Sequence, residues 1–290
     1  MSPTTTDSVR LALPKGRMQD AVQTLLADAG LAVRPGARSY RPELPLAGFE
    51  TKLLKPQAVV HMLHAGTRDL GFAGADWVAE LGAELVELVD TGLDRVRLVA
   101  AAPMGFVRDG ALPRRPLVVA SEYERLAKSW ISRKGIDATF VRSWGATEVL
   151  PPEDADVVVD NTASGATLVA NGLAIVDELL ASSTRLYASP RALDDSAKRE
   201  RIETFALLVR SVLEARERVM VEVNVTAERL ESVCAALPCM REPTISRLHG
   251  EAGYAVRAAV RRSELPRVVP EIKRRGGTDV VVSALAQIVP

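Results

Sequence analysis

Apolar and polar positions follow two alternating periods along this chain. Val9-Arg10-Leu11-Ala12-Leu13-Pro14 has the apolar density of a strand, Lys15-Gly16-Arg17 reads as a turn, and Met18 to Ala29 has the spacing of an amphipathic helix closed by Gly30. The succession then repeats. After a loop rich in Arg and Pro (34–45) come a strand at Phe49 to Leu54, a helix from Gln57 to Ala65, and Asp69 to Gly74, a strand ending in a small-residue turn. Another helix and a strand at Val96 to Ala101 complete this half. Pro103, Gly105, Gly110 and Pro113 mark a crossing into a second unit with strands at Pro116 to Ala120, Ala138 to Val141 and Asp156 to Val159, and a helix from Tyr123 to Lys134.

The pattern predicts an α/β fold of two lobes joined by short crossings, resembling a periplasmic-binding-protein arrangement with the ligand in the cleft at the carboxyl ends of the strands. A polar stretch (Ser189 to Arg201) and a helix from about Arg199 to Arg216 then lead out of the lobes. From Val219 the order is strand, helix (Ala227 to Leu237), a weak strand at Thr244 to Leu248, strand (Tyr254 to Val260), helix (Ser263 to Arg275) and strand (Asp279 to Ser283). That order predicts a C-terminal ferredoxin-like α+β domain.

Composition narrows the partners. The chain has 290 residues, 47% of them apolar, which is enough for two or three domains, and its 37 basic side chains balance 37 acidic ones. No overall field draws it to nucleic acid or a membrane surface, and Arg261-Arg262 and Lys273-Arg274-Arg275 read as solvated helical faces. Cys234 and Cys239 lack the spacing of a zinc or redox site. The start of the chain, Met1 to Asp7, is polar, and no run of eighteen apolar residues occurs, so a cytoplasmic protein with small-molecule partners is expected.

The stretch richest in chemistry is Val157-Val158-Val159-Asp160-Asn161-Thr162-Ala163-Ser164-Gly165-Ala166-Thr167-Leu168. A strand ends in an acid, and small and hydroxyl residues lead into an apolar segment of helical character. Backbone N–H groups of Ala163 to Ala166 at a helix start favour an anion, Thr162, Ser164 and Thr167 add hydroxyls, and Gly165 permits close approach. Asp160 is placed to meet ribose hydroxyls or a metal ion. The competing reading of this stretch by itself is an ordinary strand-to-helix turn with a Ser or Thr cap. With three histidines, no Ser-His-Asp or Cys-His constellation is evident.

Six ordered stretches carry a family resemblance: Leu11 to Arg17, Asp69 to Trp77, Lys134-Gly135-Ile136-Asp137, Gly145-Ala146-Thr147-Glu148, Asp160 to Leu168 with Ala170-Asn171-Gly172-Leu173, and Pro243-Thr244-Ile245-Ser246. Over nearly its whole length the chain resembles the long form of ATP phosphoribosyltransferase. The resemblance implies transfer of the phosphoribosyl group of PRPP to N1 of ATP with release of pyrophosphate, the opening step of histidine biosynthesis, with Mg2+ bound to PRPP. It also implies a homo-oligomer, dimer or hexamer, inhibited by histidine through the C-terminal domain. Residues 1–103 and about 180–212 would form the first lobe, the chain returning to it after Leu173, 104–179 the second lobe and 213–290 the regulatory domain.

The same resemblance assigns roles. Asn161, Thr162, Ala163, Ser164, Gly165, Ala166 and Thr167 would hold the 5-phosphate of PRPP, and Asp160 the ribose hydroxyls and the metal. Lys15 and Arg17 would neutralise the pyrophosphate or nucleotide phosphates, Glu148 would orient substrate or metal-bound water, and Thr244 and Ser246 would line a regulatory pocket.

Departures cluster on the acceptor side, at Lys55, Ala58, Ala73 and Asp94, and Lys55, Ala73, Asp94 and Arg95 are the expected acceptor-binding residues. Lys55-Pro56-Gln57-Ala58 stands where the family has Arg-Pro-x-Asp, Ala73 replaces a hydroxyl residue, and Asp94 stands at a glycine position, where its charge would repel a triphosphate unless Arg95 or Arg97 pairs with it. Two alternatives follow: a paralogue acting on another heterocyclic acceptor, and a non-catalytic small-ligand sensor. A sensor has no reason to keep the donor loop.

Overall fold

The computed structural model describes residues 8–38, 40–107, 112–240 and 242–289, with backbone alone at 37, 38 and 251. Met1 to Asp7 and Gly110, read above as a polar start and a crossing, lie outside the described residues. Packing divides the chain into two compact units, 1–27 with 31–206, and 28–30 with 207–290.

The first unit opens with β1 (Val9–Pro14), α1 (Gln19–Asp28), the small hairpin β2 (Arg34–Arg38) and β3 (Arg41–Glu43), β4 (Phe49–Leu54), α2 (Pro56–His64), β5 (Leu70–Gly74), α3 (Ala75–Leu81) and β6 (Val86–Pro103). It continues with β7 (Leu117–Ser121), α4 (Glu124–Lys134), β8 (Ala138–Arg142), β9 (Val157–Thr162), α5 (Ala166–Ala170), β10 (Leu173–Ala188) and α6 (Pro190–Asp194). Helix α7 (Ser196–Glu217) then carries the chain from one unit into the next.

One eight-stranded sheet runs β4-β1-β5-β10-β6-β9-β7-β8. At one end β4, β1 and β5 are parallel, and at the other β9, β7 and β8 are parallel, with antiparallel β10 and β6 between them. Parallel strands are covered on both faces, which is why β1 and β5 read as nearly unbroken apolar runs. Phe72 packs near Phe205 of α7 on one side, and Tyr123, Trp130, Val157 and Val159 fill the core around β7 and α4 on the other.

The short crossings expected between lobes are instead two long strands, β6 of 18 residues and β10 of 16. Strand β6 bonds to β9 over Arg97 to Ala101 while also pairing with β10, so the chain passes between lobes inside a continuous strand. Register shifts at Ile175/Asp177, Glu178/Leu180 and Ser182/Thr184 break the period of β10. Such irregularities turn successive side chains to different faces and hide a strand from pattern reading.

Asp69, just before β5, anchors this unit. It is 2% exposed and accepts hydrogen bonds from the Arg10 backbone N–H (2.8 Å), Arg10 Nε (2.9 Å) and Lys198 Nζ (3.2 Å). Burial pushes its carboxyl up, but the bonds from Arg10 outweigh that and hold it below the usual value. Its stabilising contribution is therefore present above the unfolded pKa and lost as pH falls through the depressed folded one. Asp69→Ala is expected to cost about 3–4 kcal/mol by urea denaturation near neutral pH, because two cations lose their buried partner.

The second unit contains β11 (Arg218–Val225), α8 (Leu230–Cys234), β12 (Thr244–Arg247), β13 (Tyr254–Arg261), α9 (Leu265–Arg274) and β14 (Thr278–Ala284). Its antiparallel sheet runs β12-β13-β11-β14, the expected ferredoxin-like order. Val219, Val221, Val223 and Val225 face the core while Met220, Glu222 and Asn224 face outward, the alternation that made β11 legible. The helix expected over Ala227 to Leu237 is shorter, a 3-10 turn at Ala227–Arg229 followed by α8. Among the described residues, no helix is long and apolar enough to cross a membrane.

Candidate active site

The carboxyl ends of β1, β5, β7 and β9 and the middle of β10 supply the side chains of the cleft. After β9 the chain turns through Thr162, Ala163, Ser164 and Gly165, whose φ of +84° lies in the left-handed region that only glycine enters at no cost. Thr162 Oγ1 accepts from the Gly165 N–H at 2.9 Å and Ser164 Oγ from the Ala166 N–H at 3.3 Å. These two hydroxyls therefore shape the loop from inside. Among the described residues, the amides of Ala163, Ser164 and Thr167 donate to no protein group.

Helix α5, expected to add a dipole behind the cradle, has only five residues. So short a helix sums few peptide dipoles. Ala163, Ser164, Ala166 and Thr167 are exposed, while Thr162 and Gly165 are buried.

Strand β9 runs on to Thr162, so Asp160, expected at the strand end, lies two residues before it, with its Oδ1 accepting from the Asn161 N–H at 2.7 Å. Burial pushes its carboxyl up to about 6, and the fields of Glu148 and Glu122 push the same way, against the Asn161 amide and Arg17. Glu148 is half-buried on the one-turn helix Thr147–Val149. The fields of Glu148, Glu122 and Arg17 thus all reach Asp160.

Lys15 and Arg17 flank Gly16, whose φ of +92° turns the chain out of β1. Both are exposed and line a cavity of about 210 Å³ together with Asp76, Asp94 and Asn161. Lys15 Nζ donates to Tyr40 Oη at 3.0 Å and lies 4.6 Å from that ring. The contact lowers the Tyr40 phenol pKa.

The acceptor-side residues are scattered. Lys55 is exposed at the start of α2 and outside that cavity, where only its neighbour Pro56 reaches. Ala73 is wholly buried in the cluster of Ala12, Val59 and Tyr187, so its methyl presents nothing to the cleft. Asp94 faces the cavity with φ +47°, and its Oδ2 accepts from Thr184 Oγ1 at 2.8 Å. The positive φ explains why glycine suits this position.

Among the described residues Asp94 forms no ion pair, since Arg97 pairs with Glu178 at 3.2 Å. Arg95 instead lines a neighbouring cavity of about 430 Å³ with Asp90, Arg97, Arg185 and Ala163. Thr244 and Ser246 are exposed on edge strand β12, and Thr244 alone of the two borders a cavity of about 480 Å³ beside Met220 and Arg257.

Several cleft residues escaped the sequence reading. Asp76 and Trp77 fell inside a matching stretch without a role, and Tyr123, Glu122 and Ser182 were not singled out at all. Trp77 and Tyr123 stack with centroids 4.6 Å apart, and Asp76 accepts from both Tyr123 Oη (2.7 Å) and Ser182 Oγ (2.8 Å). Their partners lie 47 and 106 residues away in sequence, beyond any local signal.

Two α/β lobes around a cleft, with a loop of open amides following the strand that carries Asp160, define a two-lobed α/β protein with its candidate site in the cleft. The family model described as ATP phosphoribosyltransferase matches residues 55–211, and that for the HisG C-terminal domain matches 215–287. The chain belongs to the ATP phosphoribosyltransferase family.

ATP phosphoribosyltransferase of Chlorobium phaeobacteroides is 34% identical over 277 residues, 94% of each chain. That of Pelotomaculum thermopropionicum is 32% identical over 287 residues, 97% of this chain and 99% of that one. Among solved structures, a chain of the ATP phosphoribosyl transferase (HisG:HisZ) complex from Thermotoga maritima aligns with TM-score 0.64 and 26% identity, covering 71% of this chain and 98% of that one.

Proposed function

We infer that the protein transfers the phosphoribosyl group of PRPP to N1 of the ATP adenine, releasing pyrophosphate, in histidine biosynthesis. The observation that carries this reading is the loop of open amides directly after Asp160 and Asn161, with Asn161 lining one cavity with Lys15 and Arg17 and the field of Arg17 reaching Asp160. The N1 lone pair forms a bond to the anomeric carbon as the bond to pyrophosphate oxygen breaks, and the electron pair leaves with pyrophosphate. Positive charge builds on the ribose ring and negative charge on the leaving group. Such a reaction needs positioning and charge complementarity more than a covalent nucleophile. The cradle holds the 5-phosphate, Asp160 the ribose hydroxyls, and Lys15 and Arg17 the departing polyanion.

The donor set suits Mg2+ brought in by PRPP. Among the described residues no group of three or more His, Cys, Asp or Glu side chains is arranged to hold a metal. Mg2+ commonly takes one or two carboxylates and completes its shell with phosphate oxygens and water. Asp160, crowded by Glu148 and Glu122, is the carboxylate such an ion relieves. When bound, the ion neutralises pyrophosphate charge.

Turnover with PRPP and a panel of acceptors (ATP, AMP, other purines and small azoles), read by pyrophosphate release, tests the assignment. ATP as the preferred acceptor is the expected result. Release with another heterocycle but not with ATP would overturn the acceptor, and no binding of PRPP would overturn both enzyme readings.

The altered-acceptor reading keeps one specific support, the uncompensated Asp94 carboxylate in the cleft. Asp94→Gly removes that charge, so it is expected to lower the KM for ATP severalfold, as kinetics would show. Histidine inhibition through the unit bearing Thr244 and Ser246, and assembly into a homo-oligomer, extend the same proposal to regulation.

A further inference from the structure

Beyond these assignments, we propose that Tyr123 is a positioning residue that orients the Asn161 side chain so that its carbonyl oxygen accepts a hydrogen bond from a ribose hydroxyl of the donor, and that ties this contact to Asp76 across the cleft. The proposal rests on the assignment of the cradle to PRPP. Tyr123 follows β7 at the start of α4, is 1% exposed, and is fixed by its stack on Trp77.

The hydrogen bonds leave one consistent arrangement. Asp76 is 5% exposed, and the Tyr123 hydroxyl donates its proton to Asp76 Oδ2 at 2.7 Å. Burial and the Asp76 carboxylate keep the phenol protonated far above its ordinary value, so that proton stays in place. The Tyr123 oxygen can then serve Asn161 only as an acceptor, at 2.9 Å from Nδ2. This settles the amide orientation by chemistry. Nδ2 points to Tyr123 and Oδ1 is left over, accepting from no described residue, on a side chain that lines the cavity with Lys15 and Arg17.

A ribose hydroxyl is the donor such an oxygen suits, next to the acid already assigned to the same ring. Asn161 therefore serves the sugar, whereas the resemblance alone grouped it with the 5-phosphate contacts. At its other end the chain of bonds continues through Asp76 Oδ1 to Ser182 Oγ at 2.8 Å on β10, and Ser182 Oγ also accepts from the Asp76 N–H at 3.0 Å. Asp76 stands in the first turn of α3 and Ser182 on β10, both buried, so the buried Tyr123 hydroxyl links the donor contact to these two elements. Every polar atom of this network except the one offered to the cleft is partnered, the condition under which a buried network specifies a single geometry.

Calorimetric titration of the full-length protein with PRPP and Mg2+ tests this. Tyr123→Phe keeps the stack on Trp77 and removes only the hydroxyl; Asn161→Ala removes the amide. Each is expected to weaken PRPP binding about tenfold, and the double variant to be no weaker than Asn161→Ala alone, because Tyr123 acts through Asn161. In turnover, the KM for PRPP rises while the KM for ATP stays within about twofold.

Trp130→Phe, which deletes an indole bond to Asp177 (2.8 Å) outside the cleft, controls for general loss of stability and should leave PRPP affinity unchanged. Wild-type affinity in Tyr123→Phe, or losses that multiply in the double variant, would overturn the proposal. Should Tyr123→Phe fail to fold, Asn161→Leu decides, and wild-type affinity there overturns it too. If the wild-type protein itself does not bind PRPP, the assigned function falls first and this inference with it.

Discussion

Asp160→Asn is expected to yield a protein that is more stable and nearly inactive. Its folded pKa of about 6 lies above the ordinary 3.8, so the folded state binds this proton more tightly than the unfolded chain. Stability contributed by this group is full below the unfolded value and declines as pH rises through the folded one. At neutral pH the ionised carboxylate is a cost, about 1–2 kcal/mol after allowing for partial solvent contact, and Asn removes it.

In the proposed reaction, the same change deletes the negative charge that would meet the ribose as it becomes cation-like. A fall in kcat/KM for PRPP of about a hundredfold is expected, the size typical for removing one group that stabilises transition-state charge. Urea denaturation at about pH 5 and about pH 8 should show the stability advantage of the variant growing with pH. Wild-type kcat/KM should fall as pH drops through about 6. A destabilised Asn variant with full activity would contradict the assignment.

Gly165→Val should abolish useful PRPP affinity while leaving the fold intact. A Cβ at Gly165 would meet Ile175 Cδ1 at 3.6 Å, an ordinary contact, so packing tolerates the side chain. The backbone does not, because φ is +84° and a left-handed conformation costs a branched residue about 1–2 kcal/mol. The loop relieves that strain by moving, and the amides of Ala163, Ser164 and Thr167 lose their common aim. Two charge-assisted hydrogen bonds to a phosphate are worth about 3 kcal/mol, so affinity should drop about a hundredfold by calorimetry. Circular dichroism and a thermal midpoint only a few degrees lower would show that the protein remains folded.

Strands β1, β5, β7 and β9 were legible because each is short, apolar and bounded by turn residues, and α4 because it is amphipathic and closed by Gly135. The whole C-terminal unit could be ordered, since β11 and β13 alternate faces cleanly. Strand β10 was invisible. Its first half is mostly exposed or half-exposed and its second half buried on both faces, so no single period describes Leu173 to Ala188. Strand β6 was read only at Val96 to Ala101, where the apolar density lies, although it begins ten residues earlier.

The cradle itself could be read because its chemistry is contiguous: an acid near a strand end, hydroxyls and a glycine, all within eight residues. The sequence by itself therefore determined a glycine- and hydroxyl-rich loop following an acid, and the succession of elements that carries it. Tertiary structure decided which groups act together. Lys15, Asp76, Tyr123, Asn161 and Ser182 are far apart along the chain and meet only because antiparallel β6 and β10 bring two parallel strand sets into one sheet. It also decided protonation, since the raised pKa of Asp160 comes from burial and from Glu122 and Glu148. Local patterns record what a residue contributes to its own element, whereas burial, charge and partners across the cleft exist only once distant elements have packed.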